Sequence, residues 1–156
     1  IVNTWEEESI ANIIFGYGEE KYARRIAKEI VERRKEKHIS TAKELADIIA
    51  NIVPGRGKIH PATRTFQALR IAVNDELGSL EEGLKKSADT LSPQGRIAVI
   101  SFHSLEDRIV KNFFKSLKNE SGWNLITKKP ITPTREEISE NPRSRSAKLR
   151  IVEKPL

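Results

Sequence analysis

The chain has 156 residues, with 28 Lys and Arg against 22 Asp and Glu and a formal charge of +6, giving an isoelectric point near 9.6. That length suits one ordinary domain, or a small domain with a fragment, able to bury about 68–70% of its unfolded surface. It has no cysteine, its three histidines fit no familiar zinc spacing, and it has no apolar run that could span a membrane; disulfides, thiolate chemistry and a metal site are therefore not expected.

The N-terminal Ile1-Val2-Asn3-Thr4 turns polar too early for a secretory signal. No methionine occurs anywhere, so no translation start is present, and the expectation is a piece of a longer protein. Thr4 with Glu7 has capping-box spacing, and Trp5, Ile10, Ile13, Ile14 and Phe15 form an apolar side up to Gly16-Tyr17-Gly18, which is expected to end this first helix. A second helix, over about residues 19 to 37, places Tyr22, Ile26, Ile30 and Val31 on one stripe and Arg24, Arg25, Lys28, Arg33, Arg34, Lys35 and Lys37, interleaved with glutamates, on the others. Thr41 and Glu44 make a second capping box ahead of Leu45, Ala46, Ile49 and Ile52, with Pro54-Gly55 as the stop. Residues 55–60 read as a loop by their glycines. From Pro61 a helical pattern runs through Phe66, Leu69, Val73, Leu77, Leu80 and Leu84 to Leu91, with a break expected at Gly78-Ser79.

At Pro93-Gln94-Gly95 the period changes. Arg96 to Phe102 is a nearly continuous apolar, β-branched run, the pattern of a buried parallel strand. An amphipathic helix follows, carrying Leu105, Ile109, Val110, Phe113, Phe114 and Leu117, with Ser104 and Asp107 as its expected cap. Strands are expected over Trp123 to Thr127 and Lys148 to Val152, flanking a polar connection that holds Pro130, Pro133 and Pro142. This order is the ending of an α/β sheet, because three strands alone would cover their faces poorly. No internal repeat is present.

Gly16-Tyr17-Gly18 follows a helix and Gly55-Arg56-Gly57 has no strand before it, so neither is the glycine-rich turn that cradles a nucleotide-like cofactor. Two stretches lack acidic residues altogether. Ile49 to Asn74 contains Arg56, Lys58, His60, Arg64 and Arg70, and Pro142 to Arg150 contains Arg143, Arg145, Lys148 and Arg150. Phosphates are bound by cationic forks together with small hydroxyl donors, which both stretches supply; a solvated basic surface is the alternative. The segment Ser101-Phe102-His103-Ser104-Leu105-Glu106-Asp107-Arg108 stands at the carboxyl end of the expected buried strand, the edge where open α/β sheets place ligands. There His103 is either a proton acceptor or a residue filling the corner, and Phe102 is able to stack on a base.

His60-Pro61-Ala62-Thr63-Arg64-Thr65-Phe66-Gln67-Ala68-Leu69-Arg70-Ile71-Ala72-Val73-Asn74, then Gly95-Arg96 and Val99 through Arg108, and finally Asn141-Pro142-Arg143-Ser144-Arg145-Ser146, resemble the signatures of the RsmH (MraW) family of bacterial 16S ribosomal RNA cytosine-N4 methyltransferases. The resemblance runs in order from Ile1 to about Lys154. It implies an α/β fold: the C-terminal part of a class I, Rossmann-like, S-adenosylmethionine-dependent methyltransferase sheet, preceded by an all-helical insertion. Residues 1–76 are then expected to be the insertion, a candidate for RNA recognition, and residues 77–156 the C-terminal half of the catalytic domain.

The family's S-adenosyl-L-methionine loop and acidic ribose ligand would lie upstream of Ile1, so this chain alone is expected neither to bind the cofactor nor to act. The implied partner is 16S ribosomal RNA or the small ribosomal subunit, in the cytoplasm and without a membrane. His103, Ser101 and Phe102 are candidates for the substrate side of the catalytic pocket. His60, Thr63, Arg64, Asn74, Arg143 and Arg145 are candidates for RNA contact. A non-catalytic helical fragment that binds RNA or protein is the other reading. In a class I sheet the Arg96–Phe102 strand has a neighbour from before the insertion. The free edge is therefore expected to self-associate with another copy, or else to be disordered or distorted. An ordered edge open to water would count against the sheet assignment or the fragment reading.

Overall fold

The computed structural model describes residues 1–54 and 60–156, so the loop read over 55–60 lies, apart from His60, outside the described residues. The chain forms two compact units, Ile1–Glu76 and Leu77–Leu156. Among the described residues no helix is long and apolar enough to cross a membrane.

The first unit contains helices α1 (Glu7–Gly18), α2 (Ala23–Glu36), α3 (Ala42–Ala50) and α4 (Thr63–Asn74). The Thr4–Glu7 capping box does not form. Helix α1 starts after Glu6 without a side-chain cap, because the preceding residues are held elsewhere. The Thr4 and Trp5 N–H groups both donate to the Ile1 carbonyl, and the Asn3 side chain pairs in both directions with the Ile39 backbone, at 2.8 and 3.0 Å. Helix α1 also runs through Gly16-Tyr17-Gly18, ending at Glu19 in the left-handed region (φ 49°). Gly18 serves packing: a Cβ there would lie 2.7 Å from the Arg64 carbonyl oxygen, so its absence lets α1 approach α4 backbone to backbone.

The Thr41–Glu44 box forms as read, with both N–H groups satisfied reciprocally at 3.1 Å. The Lys37 ammonium and the Ser40 and Thr41 N–H groups hold the Glu44 carboxyl down to about 2. The apolar stripes of α1, α2 and α3 meet in one core, where Ile10, Ile14, Ile26, Ile30 and Ile49 are each 0% exposed.

The break expected at Gly78-Ser79 falls earlier, at Asp75 (φ 47°). A short polar side chain tolerates that left-handed position. The turn is held from both sides, since Glu76 accepts from Arg70 Nε (2.8 Å), Arg70 Nη2 (3.0 Å) and Asn74 Nδ2 (3.2 Å). Gly78 and Ser79 therefore lie inside α5 (Glu76–Thr90).

The second unit holds β1 (Arg96–Ser101), α6 (Ser104–Ser121), β2 (Asn124–Leu125), α7 (Arg135–Glu140) and β3 (Lys148–Glu153) in a three-stranded sheet of order β1-β3-β2. The parallel pairing expected of β1 is not what forms: β1 runs antiparallel to β3, with Arg96 opposite Glu153 and Ser101 opposite Lys148. The expected second strand is cut to two residues, paired antiparallel with β3. The polar connection is not all loop, since it contains α7 and a 3₁₀ turn over Pro142–Ser146.

Burial in β1 alternates instead of being continuous. Ile97, Val99 and Ser101 face inward with Val152, Val110 and Phe114, while Ile100 is 59% exposed on the outer side. Its cross-strand partner Leu149 lies on that outer face, and so does Ile131, which bridges to Leu149. The strand is regular, because unbroken pairing with β3 fixes it from one side. No strand among the described residues pairs along its other edge.

Candidate functional site

Strand alternation separates the three residues predicted at the end of β1. Ser101 is 4% exposed and its hydroxyl donates to the Lys148 carbonyl at 3.4 Å. Phe102 is 54% exposed and presents its ring outward. His103 turns inward again, its side chain 9% exposed.

His103 caps α6, the role the sequence reading gave to Ser104 and Asp107. Its Nδ1 accepts the Glu106 N–H at 3.3 Å, while Glu106 Oε2 accepts the N–H groups of Phe102 (2.8 Å) and His103 (3.2 Å). The capping box is thus shifted one residue towards the N-terminus, with an imidazole nitrogen in place of a hydroxyl. This hydrogen bond assigns the tautomer of the neutral ring: Nδ1 is the acceptor, so the proton sits on Nε2. Nε2 is closed off from solvent without a hydrogen-bond partner among the described residues, 3.4 Å from Glu106 Oε1. While the cap holds, Nδ1 of His103 is occupied as an acceptor.

Asp107 has a different partner from the helix end. Its carboxylate takes both arms of Arg150, at 2.7 Å to Nε and 3.2 Å to Nη2, and the Lys148 ammonium at 3.2 Å. Arg150 hydrogen bonding holds the Asp107 carboxyl below the usual carboxylate range against the opposing effect of burial, with Lys148 adding to the shift. This cluster pins the first turn of α6 to β3 and so steadies the end of β1. One sequence signal for it existed. Lys148, Arg150 and Val152 share a strand face, so if Val152 is core, Arg150 is buried and needs an acid.

The RNA candidates fall at separate places. His60 and Thr63 line a groove of about 430 Å³ with Ala62, Phe66, Gln67 and Arg70. His60 Nδ1 accepts the Ala62 N–H at 3.2 Å. Arg64 is exposed and donates to the Glu19 carbonyl at 3.1 Å. Asn74 is exposed at the other end of α4, about 16 Å from Thr63 by helical rise. Arg143 and Arg145 are exposed on the 3₁₀ turn, on either side of the buried Ser144.

The turn at the end of β1 does not fit a nucleotide-like cofactor. The strand-to-helix turn from β1 to α6 has no glycine, and the N–H groups of Phe102, His103 and Glu106 are already taken within the capping box. None of these three is left to meet a ligand.

Helices combined with a small antiparallel sheet are consistent with an α/β protein. The chain belongs to the MraW methylase family, whose sequence model matches residues 1–155. It is 60% identical over 154 residues to a protein named ribosomal RNA small subunit methyltransferase H from a Sulfurihydrogenibium species, a match covering 97% of this chain and 53% of that protein. Proteins of the same name from Persephonella marina and Nostoc punctiforme are 57% and 59% identical, over 99% of this chain and 54% and 51% of their own lengths. The chain thus spans about half the length of the curated relatives it matches.

Proposed function

We propose that the whole protein transfers a methyl group from S-adenosyl-L-methionine to the exocyclic N4 of a cytosine in 16S ribosomal RNA of the small subunit, in the cytoplasm. The observation that carries this reading is the family match over residues 1–155, with relatives named as small-subunit rRNA methyltransferases. The motif from Val99 to Arg108 supports the choice of cytosine N4. The cofactor supplies the methyl group and binds outside these residues. The fold proposed for the whole protein is a class I, Rossmann-like sheet in which the free edge of β1 takes a parallel strand from the remainder. In this chain alone, that edge is where copies associate. Residues 1–76 are proposed to be the helical insertion that recognises RNA, and residues 77–156 the C-terminal half of the catalytic domain.

Within the described residues, Phe102 presents an exposed ring at the carboxyl end of β1 on which an unstacked base can lie. His103 is a positioning residue: it anchors α6 and fixes the backbone that aims Phe102. Ser101 fastens the strand to β3 from the inner face. An N4 amine needs an acceptor for its protons because its lone pair is delocalised into the ring. With Nδ1 of His103 occupied, the imidazole does not supply that acceptor while the cap holds. His60, Thr63, Arg64, Asn74, Arg143 and Arg145 contact the RNA.

The test is methyl transfer by the whole protein to undermethylated small subunits, followed by nucleoside analysis. The expected product is N4-methylcytidine; label in any other nucleoside overturns the reading. Phe102→Ala is expected to lower turnover at least tenfold. His103→Asn, which keeps a capping side chain, is expected to stay within a few-fold of the wild type, while His103→Ala falls further. If His103→Asn is as inactive as His103→Ala at unchanged thermal stability, the imidazole itself takes part in the chemistry.

A further inference from the structure

Helix α2 carries its cations in two unlike halves. In the C-terminal half each has a partner: Arg33 pairs with Glu29 and Lys35 with Glu32, both at 2.8 Å. Arg34 donates to the Val2 and Trp5 carbonyls, and Lys37, at the helix end, pairs with Glu44 at 2.7 Å. At the N-terminal end, Lys21, Arg24, Arg25 and Lys28 are all exposed, and none of them is in an ion pair among the described residues. Spacings of three and four residues put Arg24, Arg25 and Lys28 on one stripe of α2, on the side away from the buried Ala23, Ile26, Ala27 and Ile30, with Lys21 in the turn just before the helix.

This arrangement works against the helix that carries it. Like charges three and four residues apart cost stability, and cations at the N-terminal end oppose the helix dipole. No acid stands in the first turn of α2 to offset them. Glu20 is 4% exposed and its carboxylate accepts the Tyr22 N–H. Glu32, the next residue along the stripe, hydrogen-bonds Lys35. Apart from the attraction of Lys28 to Glu32 and the contact of Arg25 with Tyr22, the stripe has no partner among the described residues, which points to a ligand outside the chain. Arg64 adds a guanidinium at the α1–α2 turn through its bond to the Glu19 carbonyl. Arg25 lies over the Tyr22 ring, 5.7 Å from its centroid, which holds its fork in place.

We propose that Lys21, Arg24, Arg25 and Lys28 form a track for the phosphodiester backbone of the RNA substrate, an inference resting on the reading above that the whole protein acts on ribosomal RNA. Arg24 to Lys28 spans about 6 Å of helix, and with Lys21 in the preceding turn the long side chains extend that reach along one strand. Arginine forks between two lysines suit bidentate and point contacts to phosphate oxygens. Such contacts position the RNA without reading its sequence.

The test is filter binding of the whole protein to a small-subunit rRNA transcript at several salt concentrations. Replacing all four residues, Lys21→Gln, Arg24→Gln, Arg25→Gln and Lys28→Gln, is expected to weaken binding at least tenfold. It should also reduce the slope of log K against log salt by about 3, at roughly 0.7–0.9 for each of four phosphates no longer neutralised. Its melting temperature should stay level or rise, because repulsion is relieved. Arg24→Lys with Arg25→Lys keeps the charge and is expected to keep most of the slope. A control with the same charge change, Lys85→Gln, Lys86→Gln, Lys111→Gln and Lys115→Gln, should move the slope by less than the share of about one phosphate. A wild-type slope in the α2 variant, or an equal reduction in the control, overturns the track while leaving the function standing. A wild-type protein that binds the transcript without salt dependence overturns both.

Discussion

In residues 1–76 the helices close a core in which five isoleucines are 0% exposed, whereas in residues 77–156 a three-stranded sheet is covered on one face and leaves Ile100 59% and Ile131 55% exposed on the other. The difference follows from where each kind of element satisfies its backbone. A helix bonds internally, so a helical unit is complete once its apolar stripes meet. A strand needs a neighbour on each side and cover on each face, and β1 has one of each. The helical unit therefore carries the means of its own stability, while the sheet unit ends in surfaces that suit further polypeptide.

The comparison is broken most severely from within the helical core. Ile30→Ala is expected to cost about 2–5 kcal/mol, read as a loss of melting temperature by circular dichroism. The near-ultraviolet signal of Trp123, buried in the other unit, should be preserved at low temperature. Loss of both signals together would show that the two units fold as one.

Arg150→Met tests what holds the sheet unit, with an expected cost of about 2–3 kcal/mol, limited because Lys148 remains with Asp107. The effect depends on pH. Because the folded state lowers the Asp107 pKa from its ordinary 3.8, the contribution is fully present above that value and is lost as pH falls below it. The variant's deficit in urea unfolding should therefore be constant near neutrality and shrink in acid. A deficit independent of pH down to about pH 2 would show that the charge of Asp107 is not the source.

The smallest effect is expected on the open face. Ile100→Thr should change the stability of this chain by less than about 0.5 kcal/mol. In the longer protein, where the proposed remainder covers that face, the same substitution should cost more than about 1 kcal/mol. Equal, small effects in both would leave the face exposed in the whole protein.

Much of the helical unit was legible because its signals are local. The Thr41–Glu44 box, the α2 stripe and the apolar periodicity of α4 each lie within a few residues, and each forms. Thr4–Glu7 failed for a non-local reason: Asn3 is bound to Ile39, 36 residues away. The run Arg96–Phe102 announced a strand but not its direction, since an apolar β-branched run reads alike whether its neighbour is parallel or antiparallel. At the site, the residue types were visible and their roles were not. Ser104 and Asp107 suggested a cap by spacing, yet Asp107 is drawn to Arg150, 43 residues on, which leaves the cap to His103 and Glu106.

The sequence by itself determined where most helices and strands lie, which family the chain belongs to, and that its cations outnumber its acids. Tertiary structure alone decided the antiparallel partner of β1, the turn at Asp75, the burial of Arg150 against Asp107 and the ring nitrogen of His103 that caps α6. The division has one physical cause. Periodicity and capping act over three or four residues and are written in the order of the chain. A carboxylate or an imidazole nitrogen takes the partner that folding brings within hydrogen-bonding distance, and for Asp107 that partner comes from a strand 43 residues away.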